Sequence, residues 1–151
     1  MNSKQKYFFI GIGGIGMSSL ARYFLNLGNQ IMGYDRVESD TTKTLSRDGV
    51  KILDTIDIDL VSEDFKSEDV LVIYTPAISE ENAYLNYFLN NKNKIYKRSE
   101  ILGKITEETF CICIAGTHGK TTTAAILTHL FYICKEDFQS FVGGILNDYE
   151  T

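Results

Sequence analysis

The chain has no tryptophan, a single proline (Pro76), two histidines and three cysteines in 151 residues. Cys111, Cys113 and Cys134 follow no repeating spacing, which excludes a disulfide scaffold and a thiolate zinc centre. Cys111 and Cys113 fall in the apolar run FCICIA and are expected to be small buried hydrophobes of a strand. No apolar run approaches the ~20 residues that cross a bilayer. Residues 1–7 are polar and lack the charged, apolar and small-residue order of a signal peptide. The expectation is a cytoplasmic protein without membrane contact. Basic residues are also scarce, 15 Lys and Arg against 20 Asp and Glu, for a net charge of −5. That balance argues against a nucleic-acid partner, which needs clustered cations to displace counterions. It leaves nucleotides open, because one helix terminus and one lysine can hold a few phosphates.

What the chain does have is alternation. Residues 7–10, 30–34, 50–53, 70–74 (VLVIY) and 95–96 read as strands. Residues 15–27 place apolar side chains at near-helical spacing, with Gly28 as a stop. Residues 41–48, 80–90 and 99–105 read as further helices, the last with Ser99 as N-cap. The acidic stretch 54–69 reads as a solvated face with a short helix, since no metal-ligand spacing stands out. Strands alternating with helices imply an α/β fold, a Rossmann-like parallel sheet with helices on both faces. Residues 1–106 are expected to form this domain, with 104–109 as a polar linker. Residues 107–151 then begin a P-loop ATPase domain: a strand over 111–115, a loop over 116–120, a helix over 120–132, and order again at 141–145. One strand and one helix cannot bury a core, so the chain is expected to stop inside this second domain.

Two glycine loops carry the chemistry. The first is Gly11-Ile12-Gly13-Gly14-Ile15-Gly16, a GxGxxG pattern between a strand and a helix, with Asp35 ending the next strand. In that pattern Gly11 permits the tight turn, Gly13 lets the backbone approach a pyrophosphate, and Gly16 lets helix and strand pack closely. The amides of the first helical turn attract phosphate oxygens, and Asp35 is placed to accept from ribose hydroxyls. NAD, FAD and UDP-sugars all satisfy this pattern.

The second loop is IAGTHGKTTT over residues 114–123. Ile114 stands where the usual GxxxxGK[ST] motif has its first glycine, so the reading rests on Gly116, Gly119, Lys120 and Thr121. Their amides suit phosphates, Lys120 supplies a cation for the β and γ groups, and the Thr121 hydroxyl suits magnesium. His118 lies in the loop, open to phosphate or to solvent. His129, on the following helix, reads as structural.

The two loops in this order resemble the Mur ligase family. The likeness lies in GIGGIGMSSLARYFLNLG (11–28), Gly33-Tyr34-Asp35, YTPAIS (74–79), YKRSEILG (96–103), AGTHGKTTT (115–123) and Gly143-Gly144. It implies an ATP-dependent ligase that activates the carboxylate of UDP-N-acetylmuramate as an acyl phosphate, for attack by the amino group of L-alanine or of a peptide. It implies that residues Gly11, Ile12, Gly13, Gly14, Ile15 and Gly16 hold the UDP diphosphate, that Asp35 lies near the nucleoside, and that Thr75, Pro76 and Ala77 line the same crevice. It also implies that Gly116, Thr117, His118, Gly119, Lys120, Thr121 and Thr122 hold ATP with magnesium, Lys120 acting in catalysis. Arg98 is similar to a family arginine near the domain junction. The family's central domain continues past its P-loop and a third domain follows, so this chain is expected to be inactive as a ligase by itself. Tyr34 and Thr75 stand where many members carry serine. A nicotinamide oxidoreductase and a nucleotide-binding module without catalysis are the competing classes.

Overall fold

The computed structural model of the protein describes residues 4–144. Its architecture follows from how β1 (Lys6–Ile10) distributes its side chains. Successive residues of a strand point to opposite faces. Tyr7 and Phe9 enter one core cluster with Leu20, Phe24 and Leu45, while Phe8 and Ile10 enter a second with Tyr84 and Phe88. A strand apolar on both faces must be covered on both, as in parallel sheets. Parallel partners β2 (Gln30–Tyr34) and β4 (Leu71–Tyr74) flank it, with β3 (Lys51–Leu53) and β5 (Lys94–Lys97) at the edges, in the order β3-β2-β1-β4-β5. Helices α1 (Ile15–Asn26), α2 (Asp40–Arg47) and α4 (Arg98–Glu108) lie on the Tyr7–Phe9 face. Helix α3 (Ala83–Asn90) and 3-10 turns at Ile58–Leu60 and Glu63–Phe65 lie on the other. The parallel sheet covered on both faces is the one the sequence implies.

Side chains set the starts of α2, α3 and α4. Ser39 and Thr42 form a reciprocal box, the Ser39 amide donating to Thr42 Oγ1 at 2.9 Å and the Thr42 amide to Ser39 Oγ at 3.3 Å. Helix α3 begins later than expected because Asn82 Oδ1 accepts the amides of Tyr84 and Leu85, at 3.0 and 3.2 Å. Ser99 is not the cap of α4. That helix begins at Arg98, and Glu100 reaches back to accept the Lys97 amide at 2.6 Å.

Several other expectations are corrected. Residues 104–108 are helical, not a linker, because Ile105 still packs on the first core cluster and holds the last turns of α4 to the sheet. The acidic stretch forms two 3-10 turns rather than a helix, and among the described residues no group of His, Cys, Asp or Glu could hold a metal ion. Its backbone is tied to buried Tyr84, whose hydroxyl lies 2.9 Å from the carbonyl oxygens of Thr55 and Asp57 and accepts the Asp57 amide at 3.1 Å. Residues 111–115 are extended but form no strand, since among the described residues no neighbouring strand offers them hydrogen bonds. Cys111 and Cys113 are therefore exposed, not buried, with sulfurs 3.5 Å apart, and the contact with Cys113 raises the Cys111 pKa above its ordinary value. Helix α5 (Lys120–Ile133) follows the second loop as expected. Of the residues expected to be ordered at 141–145, Phe141 and Val142 belong to no helix or strand, Gly143 and Gly144 form a bend, and Ile145 lies outside the described residues.

Candidate functional site

In an open parallel sheet a crevice forms where adjacent strands send their connections to opposite faces. β1 leads to α1 on one face and β4 leads to α3 on the other. A cleft of about 940 Å³ opens at the C-terminal ends of these two strands.

The first glycine loop is built mainly by contacts within the protein. Gly11 turns at φ 85°, and a Cβ there would lie 2.7 Å from Thr75 Cγ2. The amides of Gly11 and Ile12 both donate to the Tyr34 carbonyl, at 2.8 and 3.1 Å. Ile12 is wholly buried and fills the space left by Gly33. The Gly13 amide donates to Asp35 Oδ2 at 2.7 Å, and Asp35 Oδ1 accepts the Val37 amide at 3.0 Å. A Cβ on Gly13 would lie 2.8 Å from Asp35 Oδ2 and 2.9 Å from Thr42 Cγ2. Gly13 is thus required by Asp35 and Thr42, whereas the sequence pattern suggests an approaching pyrophosphate. Gly16 also differs from the pattern. A Cβ on it would meet Arg98 Nη1 at 3.0 Å, so it makes room for a guanidinium rather than for a strand.

This accounting isolates the groups left for a ligand. The amides of Ile15 and Gly16 have no acceptor among the described residues, no side chain caps α1, and its first turn holds no acidic residue. These two amides and the positive end of the helix dipole face the cleft beside Arg98. Among the described residues no carboxylate lies within ion-pair range of Arg98. Two bare amides and an unpaired guanidinium make an anion cradle. Gly11, Gly14, Asp35, Thr75 and Ala77 line the cleft as well, while Ile12, Gly13 and Pro76 do not. The resemblance had marked Arg98, but its placement over Gly16 has no local signal. Residues 141–143, which also border the cleft, carry no motif that points there.

The second loop sets a similar cradle at α5. Gly119 takes the left-handed conformation, φ 76°, as the residue before the helix, and no side chain caps it. Lys120 Nζ folds over the loop and donates to the carbonyls of Gly116 at 2.5 Å and Thr117 at 3.2 Å. The amides of Lys120, Thr121 and Thr122 have no acceptor among the described residues. Thr117, His118, Thr121 and Thr122 are exposed around it, and His129 is exposed on α5.

A doubly wound sheet with one bare helix start in its crevice, and a second behind a Gly-Lys-Thr loop, defines an α/β protein with two separate helix starts whose free amides suit an anion. The sequence pattern of the Mur ligase family, catalytic domain, matches residues 6–109. The chain belongs to the Mur ligase family. It is 46% identical over 151 residues to a UDP-N-acetylmuramate–L-alanine ligase of Flavobacterium psychrophilum, covering 100% of this chain and 34% of the relative. It is 44% identical over 152 residues to the ligase of the same name from Parabacteroides distasonis, covering 100% of this chain and 33% of the relative. The crystal structure of the UDP-N-acetylmuramate-alanine ligase MurC from Thermotoga maritima superposes with a TM-score of 0.85 at 30% identity, over 96% of this chain and 33% of that one. The chain therefore spans about a third of the length of the curated relatives it matches.

Proposed function

We propose that this chain provides the UDP-sugar-binding domain and the P-loop of a cytoplasmic ATP-dependent ligase that joins L-alanine to UDP-N-acetylmuramate. The observation that carries the reading is the pair of bare helix starts, one beside Arg98 and one beside Lys120. The names of the relatives supply the identity of the substrates. In this reading residues 1–106 are the UDP-sugar unit and residues 107–151 begin the ATP-binding unit, a division that falls in the last turn of α4.

In this reading the diphosphate sits on the amides of Ile15 and Gly16 against Arg98, with the nucleoside toward Asp35. The phosphates of ATP take the amides of Lys120, Thr121 and Thr122, and Lys120 exchanges its loop carbonyls for β and γ oxygens. Thr121 would hold magnesium through its hydroxyl, and the ion would offset negative charge on the phosphates. A muramyl carboxylate oxygen attacks the γ-phosphorus and the bond to ADP breaks. The amine of alanine then attacks the acyl carbon, loses a proton and displaces phosphate. Activation is needed because a carboxylate is a poor electrophile, and fixed positive groups lower the barrier to phosphoryl transfer.

Isothermal titration calorimetry of the chain with UDP-N-acetylmuramate and with NADH tests this reading. Saturable binding of the UDP-sugar, with none of NADH, is expected. Binding of NADH alone would refute it.

A further inference from the structure

We infer that residues 141–144 are a strap carried by the P-loop unit that closes the far end of the first cleft, with Phe141 as its positioning residue. This rests on the UDP-sugar reading above and adds which part of the ligand the strap selects.

The strap is anchored just before its start and in its middle, and its end lies close to the phosphate loop. Ser140 Oγ lies 2.7 Å from Thr128 Oγ1 on α5. In its middle, the Phe141 ring meets the Tyr23 ring of α1 edge-on, with centroids 5.7 Å apart, and Val142 is buried. At its end, a Cβ on Gly144 would lie 3.2 Å from Thr121 Cγ2 of the phosphate loop. Residues 141–143 border the first cleft and Gly144 lies beside Thr121, so this one short segment runs from the first cleft to the phosphate loop.

Topology fixes which end of the cleft they close. Asp35, Arg36 and Ile56 line the β2–β3 side of the sheet. Phe141 packs on the cluster that holds α1 and the α4 residues Ile101, Leu102 and Ile105, and Arg98 and Leu102 line that side of the cleft. A nucleotide with its nucleoside at Asp35 and its diphosphate at Gly16 therefore directs its remaining group toward the strap and on toward Thr121. A ligand that ends at the diphosphate does not reach it. The strap discriminates the sugar-acid end of the ligand from the nucleoside end, and Phe141 holds it in place through Tyr23.

Calorimetry of the chain with UDP-N-acetylmuramate and with UDP, in the wild type, Phe141→Ala, Tyr23→Ala and Phe141→Leu, tests the assignment, with thermal unfolding run on each. Phe141→Ala and Tyr23→Ala are expected to weaken the sugar nucleotide on the order of tenfold, and UDP by less than about twofold. Phe141→Leu, which keeps an apolar anchor, is expected to recover most of the loss. Equal weakening of both ligands in a folded variant, or no weakening of either, would overturn the strap assignment while leaving the cleft reading intact. A wild-type chain that binds neither ligand would overturn both.

Discussion

Gly13 shows how a residue can match a motif for a reason other than the motif's own. Its amide is bound by Asp35 at 2.7 Å, and the carboxylate occupies the space that a side chain at 13 would need. Gly13→Ala is therefore expected to push Asp35 and Thr42 aside, lower the urea midpoint, and weaken UDP-N-acetylmuramate through Asp35. Asp35→Ala in the same background removes the carboxylate clash but leaves Thr42 in place and takes the acceptor from the Gly13 and Val37 amides, so it should restore only part of the stability, and urea titration of both variants checks this. Tyr84 gives a second residue-scale test. Its buried hydroxyl serves two carbonyls and one amide of the 55–57 loop, so Tyr84→Phe should cost about 1–3 kcal/mol of unfolding free energy. An unchanged unfolding free energy would show that water replaces the hydroxyl. The glycine positions were legible from spacing. The partners that explain Gly13 and Gly16 were not, because Asp35, Thr42 and Arg98 arrive from positions 22 to 82 residues away in the chain.

At the level of elements, the inner strands β1, β2 and β4 were readable because parallel strands buried on both faces are largely apolar runs, while the edge strands β3 and β5 offered only two apolar residues each. Helix ends were less so. Helix α4 extends through polar residues because one side chain, Ile105, still reaches the core, and the window around it is too polar to show this. Residues 111–115 have the composition of a buried strand and lack the neighbour that makes one, since β-structure is a property of pairs. Where a cap is present, the element depends on it. Ser39→Ala removes one half of the box that starts α2 and should cost about 1 kcal/mol, measured as a shift in urea midpoint without change in slope. A change in slope would mean that the variant alters more than the cap.

Across the whole molecule, the two cradles use different helices, different cations and different amides, and residues 141–144 run from the first cleft to the phosphate loop. Lys120→Ala should therefore leave the UDP-N-acetylmuramate dissociation constant within about twofold, while weakening ATP on the order of tenfold or more, the value of a charge-assisted hydrogen bond. Fluorescence anisotropy with a labelled ATP, alongside calorimetry, reads both. Equal loss at both sites would mean that the cradles are not separate. The general plan, a doubly wound sheet followed by a glycine loop that opens a helix, was legible because each loop sits between a strand-like run and a helical one. The joining strap was not, because its contacts, with Thr128, Tyr23 and Thr121, are all with residues distant in sequence and its own four residues have no period.

The central claim is that the bare start of α1 receives a diphosphate. Amide chemical shifts of the ¹⁵N-labelled chain, recorded while UDP-N-acetylmuramate is added, test it most directly. The largest perturbations are required at Ile15 and Gly16, with smaller ones at Gly14 and the Arg98 side chain. Perturbations centred elsewhere, with Ile15 and Gly16 unmoved at saturation, would contradict it.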